Sequence, residues 1–418
     1  MTSQLVTALH VSPCLFSMLV TGGGASSIGL LTRTPGASAT LLSATVPYAR
    51  SALQRVLGCA PSSYCSEETA GLMARAARRT GMELWARDAG SLATLAATPV
   101  LGVGCTSALH SPGEREERVH RCFVAVEGVS GCFQSSVVLS LRTREEQEDA
   151  CAALVLVSMA QAAGLPEDLW GPALTAAGLS VAKSGPPCTD AVATMVSYAP
   201  VPIDGLLASP AGTRDCVLYV RDGPGDGLPG AQLPPNSVIL GGSFNPLHEG
   251  HEKLLLAAVE HLKSLDHDAG PGVFELAATN ADKGALGADA VRARVAQFMT
   301  PPVGAGTPHP VVVTTTPLFT DKAKLFPGCC FVVGYDTAVR LVAPKYYGGH
   351  DQMVIALAAV RTAGCRFVVA GRRDSASGEF LTLVDIAMPE ALLDLFIPLP
   401  TFRVDLSSSE LRAAGQRV

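Results

Sequence analysis

At 418 residues the chain is long enough for two or three domains, and 48% hydrophobic against 16% charged residues supplies ample material for buried cores. A net charge of −6 and a pI near 5.9 give no electrostatic case for nucleic acid or a membrane surface as partner, which leaves small-molecule chemistry. The 12 cysteines have no Cys-x-x-Cys spacing, so neither a zinc site nor a secreted disulfide framework is indicated and a reducing compartment is expected.

No apolar run reaches the roughly 20 residues of a bilayer span, so no membrane segment is expected. The first 66 residues lack Asp and Glu, as organellar transit segments do, but Arg is sparse there too. The expectation is cytoplasmic, with an organellar address left open.

Residues 1–165 read as an α/β domain rich in Ala and Gly. Cys14 to Val20 predicts a strand entering Thr21-Gly-Gly-Gly-Ala-Ser-Ser27, and Ile28 to Leu31 can begin a helix. Pro35-Gly-Ala-Ser38 makes a turn before Leu41 to Tyr48. Glu67 to Thr80 is helical, with Leu72, Ala76 and Ala77 on one side and Arg75, Arg78 and Arg79 on the other. Val100 to Gly104 and Cys122 to Val126 look like core strands. A long helix over Thr143 to Ala163 opens on a capping box, Thr143 with Glu146.

Thr21-Gly-Gly23, Pro35-Gly-Ala-Ser38, Val46-Pro-Tyr48, Cys65-Ser-Glu67 and Gly102-Val-Gly104, in that order, resemble the C-terminal domain of the CinA family, whose bacterial members deamidate nicotinamide mononucleotide. The departures are informative. Leu19, in Met18-Leu-Val-Thr-Gly-Gly23, stands where those amidases carry a nucleophilic Ser, and Leu53 stands where they carry a Lys five residues after the Tyr. Acyl transfer needs a nucleophile and a base within hydrogen-bond reach, so the domain is expected to be inactive as an amidase. Ser26 and Ser27 read as turn or helix-cap hydroxyls.

Residues 166–235 are rich in Pro and Gly and read as a connector with one strand, Cys216 to Val220. Residues 236–418 alternate strand and helix: Ser237 to Leu240, a helix from Glu252 to Lys263, Val273 to Ala278, a helix over Ala288 to Met299, Val311 to Thr315, Phe331 to Gly334, and Arg366 to Ala370. That alternation predicts a Rossmann-like, doubly wound parallel sheet.

The chain is organised around Leu240-Gly-Gly-Ser-Phe-Asn-Pro-Leu-His-Glu-Gly-His251, which joins the first of these strands to its helix. Gly241 and Gly242 let backbone approach a phosphate, while His248 and His251 lie about one helical turn apart. Two imidazoles beside a glycine loop at a helix N-terminus suit stabilisation of charge on phosphate. The string resembles the HxGH signature of the nucleotidylyltransferase superfamily, and its Gly-Ser-Phe-Asn-Pro form is most similar to nicotinamide-nucleotide adenylyltransferases. Leu406-Ser-Ser-Ser-Glu-Leu-Arg412 resembles the superfamily's Ile-Ser-Ser-Thr-x-x-Arg element, and Gly334-Tyr-Asp336 its Gly-x-Asp element.

The resemblance implies that AMP passes from ATP to a phosphate monoester, foremost nicotinamide or nicotinate mononucleotide, with release of pyrophosphate. His248 and His251 are then the catalytic pair. Gly242, Ser243, Phe244 and Asn245 line the phosphate loop, Gly334 and Asp336 meet the nucleoside, and Ser407, Ser408 and Arg412 hold the outer phosphates. Lys283 and Lys322, at strand ends, are secondary phosphate candidates. Mg2+ is expected on the ATP phosphates, and a homo-oligomer is compatible with all of this. The alternatives are adenylyl or cytidylyl transfer to phosphopantetheine or an alcohol phosphate, and a non-catalytic nucleotide-binding regulator.

Overall fold

The computed structural model describes residues 2–113, 118–140, 143–182, 189–199, 202–209, 216–221, 223–280, 284–299, 309–373, 378–400 and 402. The chain divides into two compact units, residues 1–85 with 98–199, and residues 86–97 with 200–418. Each has its own sheet and its own core.

The first unit runs α1 (Thr2–Val11), β1 (Leu15–Thr21), α2 (Ser26–Thr32), α3 (Ala37–Thr40), β2 (Leu41–Thr45), α4 (Arg50–Leu57) and α5 (Glu67–Asp88). After α6 (Leu92–Ala97), which groups with the second unit, come β3 (Val100–Ala108), β4 (Arg121–Glu127), β5 (Gly131–Val138), α7 (Arg144–Ala162), α8 (Glu167–Ala176), β6 (Ser180–Val181) and β7 (Ala191–Tyr198). The sheet order is β2-β1-β3-β4-β5-β7-β6, parallel across the first three strands and antiparallel from β3 through β7.

Alternation along the strands sends Phe16, Met18, Val20, Val103 and Val124 to one face, where Leu5 and Leu9 of α1 and Leu154 and Val155 of α7 cover them. Each such side chain, fully buried, stabilises the unit by about 1.5–3 kcal/mol. On the other face α5 lies unusually close to β3. A Cβ on Gly104 would sit 2.2 Å from the Ala70 carbonyl oxygen, and one on Gly102 2.1 Å from that of Ala74. Helix α7 begins on the expected capping box. The Glu146 N–H donates to Thr143 Oγ1 at 3.2 Å, and the Thr143 N–H to Glu146 Oε2 at 2.9 Å.

The stretch 166–235, expected as a connector, is instead divided between the units. Helix α8 buries Trp170, Ala173 and Leu174 in the first core, and β7 pairs with β5 over Ala193 to Tyr198. Ala191 to Tyr198 is a largely apolar run, most of it exposed, and the Pro and Gly of the stretch around it hid it as a strand. Beyond residue 200, α9 (Pro202–Ala208) and β8 (Cys216–Tyr219) belong to the second unit.

The second unit continues with β9 (Leu228–Pro229), β10 (Val238–Gly242), α10 (Glu249–Ser264), β11 (Gly272–Ala277), the short ladder β12 (Thr279–Asn280) with β13 (Gly284–Ala285), α11 (Ala288–Met299), β14 (Val311–Thr314) and α12 (Phe319–Leu325). It ends with β15 (Cys330–Gly334), α13 (Tyr335–Leu341), α14 (His350–Thr362), β16 (Arg366–Ala370), the ladder β17 (Arg372–Arg373) with β18 (Phe380–Leu381), and β19 (Phe396–Leu399). The sheet order is β19-β16-β15-β10-β11-β14-β8-β9.

From β19 to β14 every pairing is parallel, and β8 adds an antiparallel edge. Counted along the chain from β10, the six parallel strands stand in the order 6-5-4-1-2-3 of a doubly wound sheet. Val238, Leu240, Phe274, Val313 and Val332 pack against Leu255 of α10 and Val291, Val295 and Phe298 of α11. The opposite face carries Phe331 and Phe367, whose rings lie 5.4 and 5.3 Å from that of Phe319 on α12. The order in which strands are added reverses between β10 and β15, so the crevice beyond their carboxyl ends is where a ligand of such a sheet binds. Among the described residues no helix is long and apolar enough to cross a membrane.

Candidate functional site

Strand β10 delivers the glycine loop to that crevice. Phe244, at φ +43°, turns back so that its ring stands edge-on to Phe274 and Phe298, with centroids 5.3 and 5.1 Å away. A left-handed backbone at a phenylalanine costs about 1–3 kcal/mol, which burial of the ring offsets. Gly242 makes the turn feasible, since a Cβ there would lie 2.7 Å from the Phe244 ring. Asn245 follows, joined to Pro246 by a cis peptide bond.

Helix α11 clamps the loop from the side. Gln297 Nε2 donates to the Phe244 carbonyl at 3.0 Å, and Gln297 Oε1 accepts from the Leu247 N–H at 2.8 Å. Arg294 Nη1 donates to the Ser243 carbonyl at 3.0 Å. Neither residue was marked by the sequence. Their spacing of one helical turn was the available signal, but it is equally that of any solvated helix face.

His248 caps α10 and His251 lies in its first turn. The two rings stack, with centroids 3.7 Å apart and planes inclined by 27°, and the Phe244 ring stands edge-on to His251 at 5.1 Å. The His248 N–H donates to His251 Nδ1 at 3.3 Å, which assigns Nδ1 as acceptor and places the proton of the neutral ring on Nε2. Burial, with the neighbouring His248 as a lesser cause, pushes His251 down to about 3, and burial lowers His248 as well. At neutral pH the site therefore presents an uncharged imidazole with an Nε2–H donor at a helix N-terminus.

That depression makes folding pH-dependent. The folded value lies below the ordinary 6.5, so the unfolded chain binds the extra proton and acid favours unfolding. The contribution is fully present above about pH 6.5 and is lost as pH falls towards 3. Between pH 7 and pH 5 His251 alone removes about 2 kcal/mol. Urea midpoints at the two pH values should therefore converge in His251→Gln relative to the wild-type chain, and an equal spread in both would refute the desolvated ring.

Gly334 and Asp336 lie at the carboxyl end of β15, the strand beside β10. Asp336 forms an ion pair with Arg372, which follows β16. The sequence did not single out Arg372. Lys322 departs from expectation. It is buried on α12, its Nζ 2.7 Å from Glu275 Oε2, with side-chain exposures of 6% and 1%. Thr314 Oγ1 donates to Glu275 Oε1 at 2.5 Å. The pair sits beside Gly241, where a Cβ would come within 2.8 Å of Glu275 Oε2. Lys322 is thus committed to a carboxylate rather than offered to solvent. A Glu inside the otherwise apolar strand was the signal for this pair, because a buried charge requires a partner.

Lys283, Ser407, Ser408 and Arg412 lie outside the described residues. Among the described residues no group of three or more His, Cys, Asp and Glu is arranged to hold a metal.

In the first unit, Leu19 and Leu53 are buried together with Met73, Ala76 and Ala77. A cavity of about 420 Å3 at the carboxyl end of β1 is lined by Gly22, Gly23, Tyr48, Arg144 and Glu148 among others. Several of its polar groups are engaged. Arg144 donates to the Gly22 carbonyl at 2.9 Å and the Tyr48 hydroxyl at 3.2 Å, and Glu148 accepts from the Gly24 and Ser26 N–H groups at 2.8 and 2.9 Å. Ser27 Oγ donates to the Gly24 carbonyl at 2.7 Å, as a turn hydroxyl does.

No family model matches the chain, and no curated protein does. Among solved structures, the competence/damage inducible protein CihA from Agrobacterium tumefaciens is similar at 18% identity and a TM-score of 0.29, over 39% of this chain and 94% of its own. A CinA superfamily protein from Enterobacter cloacae is similar at 17% identity and 0.29, over 39% and 88%. Another from Escherichia coli is similar at 16% and 0.27, over 39% and 85%. At that identity and TM-score the likeness says nothing of residue roles, which rest on the geometry above.

Proposed function

We propose that the second unit is a nucleotidyltransferase that moves AMP from ATP to a phosphate monoester, with nicotinamide or nicotinate mononucleotide as the acceptor. An acceptor phosphate oxygen attacks the α-phosphorus in line, a phosphoanhydride forms, the bond to the β-phosphate oxygen breaks, and pyrophosphate leaves. No covalent enzyme intermediate is needed, so the protein's part is to position the reactants and stabilise charge.

The observation that carries this reading is the stacked His248–His251 pair at the N-terminus of α10, at the point where the strand order switches. A neutral ring with a fixed Nε2–H donates to phosphate oxygens as charge develops and needs no rearrangement to do so. The exposure of Gly241 and Ser243 supports close approach by a phosphate. Ser407, Ser408 and Arg412 act on the β- and γ-phosphates, Asp336 acts near the nucleoside, and magnesium enters with ATP as part of the substrate. The first unit does not deamidate, because aliphatic Leu19 and Leu53 supply neither nucleophile nor base.

Incubation with ATP, magnesium and a panel of phosphate monoesters, reading pyrophosphate and dinucleotide, tests this. Product with nicotinamide or nicotinate mononucleotide is expected. Product only with pantetheine phosphate or an alcohol phosphate moves the acceptor, and no pyrophosphate with any acceptor makes the chain a nucleotide-binding regulator.

A further inference from the structure

Helix α11 carries two arginines with opposite surroundings. Arg292 is neutralised by Asp204 at 2.6 Å and by Asp289 at 3.2 Å. Among the described residues Arg294 has no carboxylate within ion-pair distance, and its guanidinium makes one hydrogen bond, from Nη1 to the Ser243 carbonyl at 3.0 Å. Its Nε is shut away from solvent without an acceptor. Burial also lowers its affinity for the proton. A guanidinium has five N–H donors, so most of the fork is uncommitted.

Arg294 is half-buried, and a partly desolvated cation without a counter-charge costs some of the stability of the fold that holds it. The loop does not require this cation for its shape. Gln297 alone bonds both Phe244 and Leu247, and the buried Phe244 ring anchors the turn. What Arg294 does have is position. It bonds Ser243, the first residue after β10, at the carboxyl end of the strand, where Gly241 and Ser243 are exposed and where doubly wound sheets bind their ligands.

We propose that Arg294 binds a phosphate group of the ligand seated against Ser243 and Phe244, and that this anion supplies its missing counter-charge. The inference rests on reading this loop as a phosphate site and adds to it a residue from α11, outside the glycine loop and its histidines. The same chemistry is offered by the ATP phosphates and by the phosphate of a mononucleotide acceptor. The fork geometry of arginine suits either, through paired charge-assisted bonds.

The test is calorimetric titration of the full chain, wild type, Arg294→Gln and Arg294→Lys, with magnesium ATP, nicotinamide mononucleotide and inorganic phosphate as separate probes. Thermal midpoints without ligand serve as the control for folding. Arg294→Gln should lose about tenfold or more in affinity for the nucleotide whose phosphate it holds, and Arg294→Lys, which keeps the charge, should lose less. The weakened probe identifies the source of the phosphate.

Affinities within twofold of wild type for every probe overturn the proposal. So does an equal loss in both variants, which would mean that the fork only props the loop. Absence of binding of all three probes to the wild type overturns it together with the transfer reading. Binding that depends on Arg294 in a protein that releases no pyrophosphate with any acceptor sinks the transfer reading alone. Turnover with unchanged affinities in Arg294→Gln sinks this proposal alone.

Discussion

His251→Ala should lower turnover by about a hundredfold or more while leaving ATP affinity nearly unchanged. The size follows from what the ring offers. Its proton is fixed on Nε2 because Nδ1 accepts from the His248 N–H, and its charge is suppressed by burial. The donor is therefore ready without any cost of proton loss or reorientation at the moment of reaction. A neutral donor gains little from the ground-state triphosphate, which water already solvates, and gains most where negative charge grows as the α–β bond breaks. Loss of such a contact lowers kcat and kcat/KM together. His251→Gln, which carries an amide N–H near the position of Nε2, should retain more activity than the alanine variant. Near-normal turnover in His251→Ala, or a loss confined to KM, would remove His251 from the catalytic role.

The parts of this molecule that were legible in its sequence are those written in consecutive residues. Arg366 to Ala370 and Ala288 to Met299 read from the sequence with the same bounds as β16 and α11, because a central parallel strand is a continuous apolar run and an amphipathic helix repeats at 3.6. The glycine loop and its histidines stood out for the same reason, being one uninterrupted string. Of the antiparallel strands, β4 and β8 were legible as short apolar runs, but β5 and β7 were not: β7 exposes Thr194 to Tyr198, and β5 is interrupted by Ser and Gln. What surrounds the loop was hidden too. Arg294, Gln297, Arg372 and Glu275 acquire meaning only from partners far away in sequence, and Lys322 after β14 reads as a phosphate candidate until Glu275 on the neighbouring β11 is seen beside it.

Lys322 gives the sharpest contrast between the two readings of a charge near this site. Lys322→Met should destabilise the second unit by about 3–5 kcal/mol, because it strands Glu275 as an unpaired buried carboxylate. Glu275 is 1% exposed and keeps only the Thr314 hydroxyl as a hydrogen-bond donor once the ammonium is gone. Adding Glu275→Gln should restore most of the loss, since a neutral amide still accepts from Thr314 Oγ1 through its carbonyl oxygen and no longer carries a charge to desolvate. A phosphate-binding lysine behaves in the opposite way. Its removal would leave the urea midpoint unchanged and weaken ATP, and a second change at Glu275 would not help. The cycle of four proteins, read by urea midpoint and by ATP titration, separates these outcomes. The buried geometry at 2.7 Å commits Lys322 to the first. An unchanged midpoint with weakened ATP would return it to the set of phosphate ligands that its position after β14 first suggested.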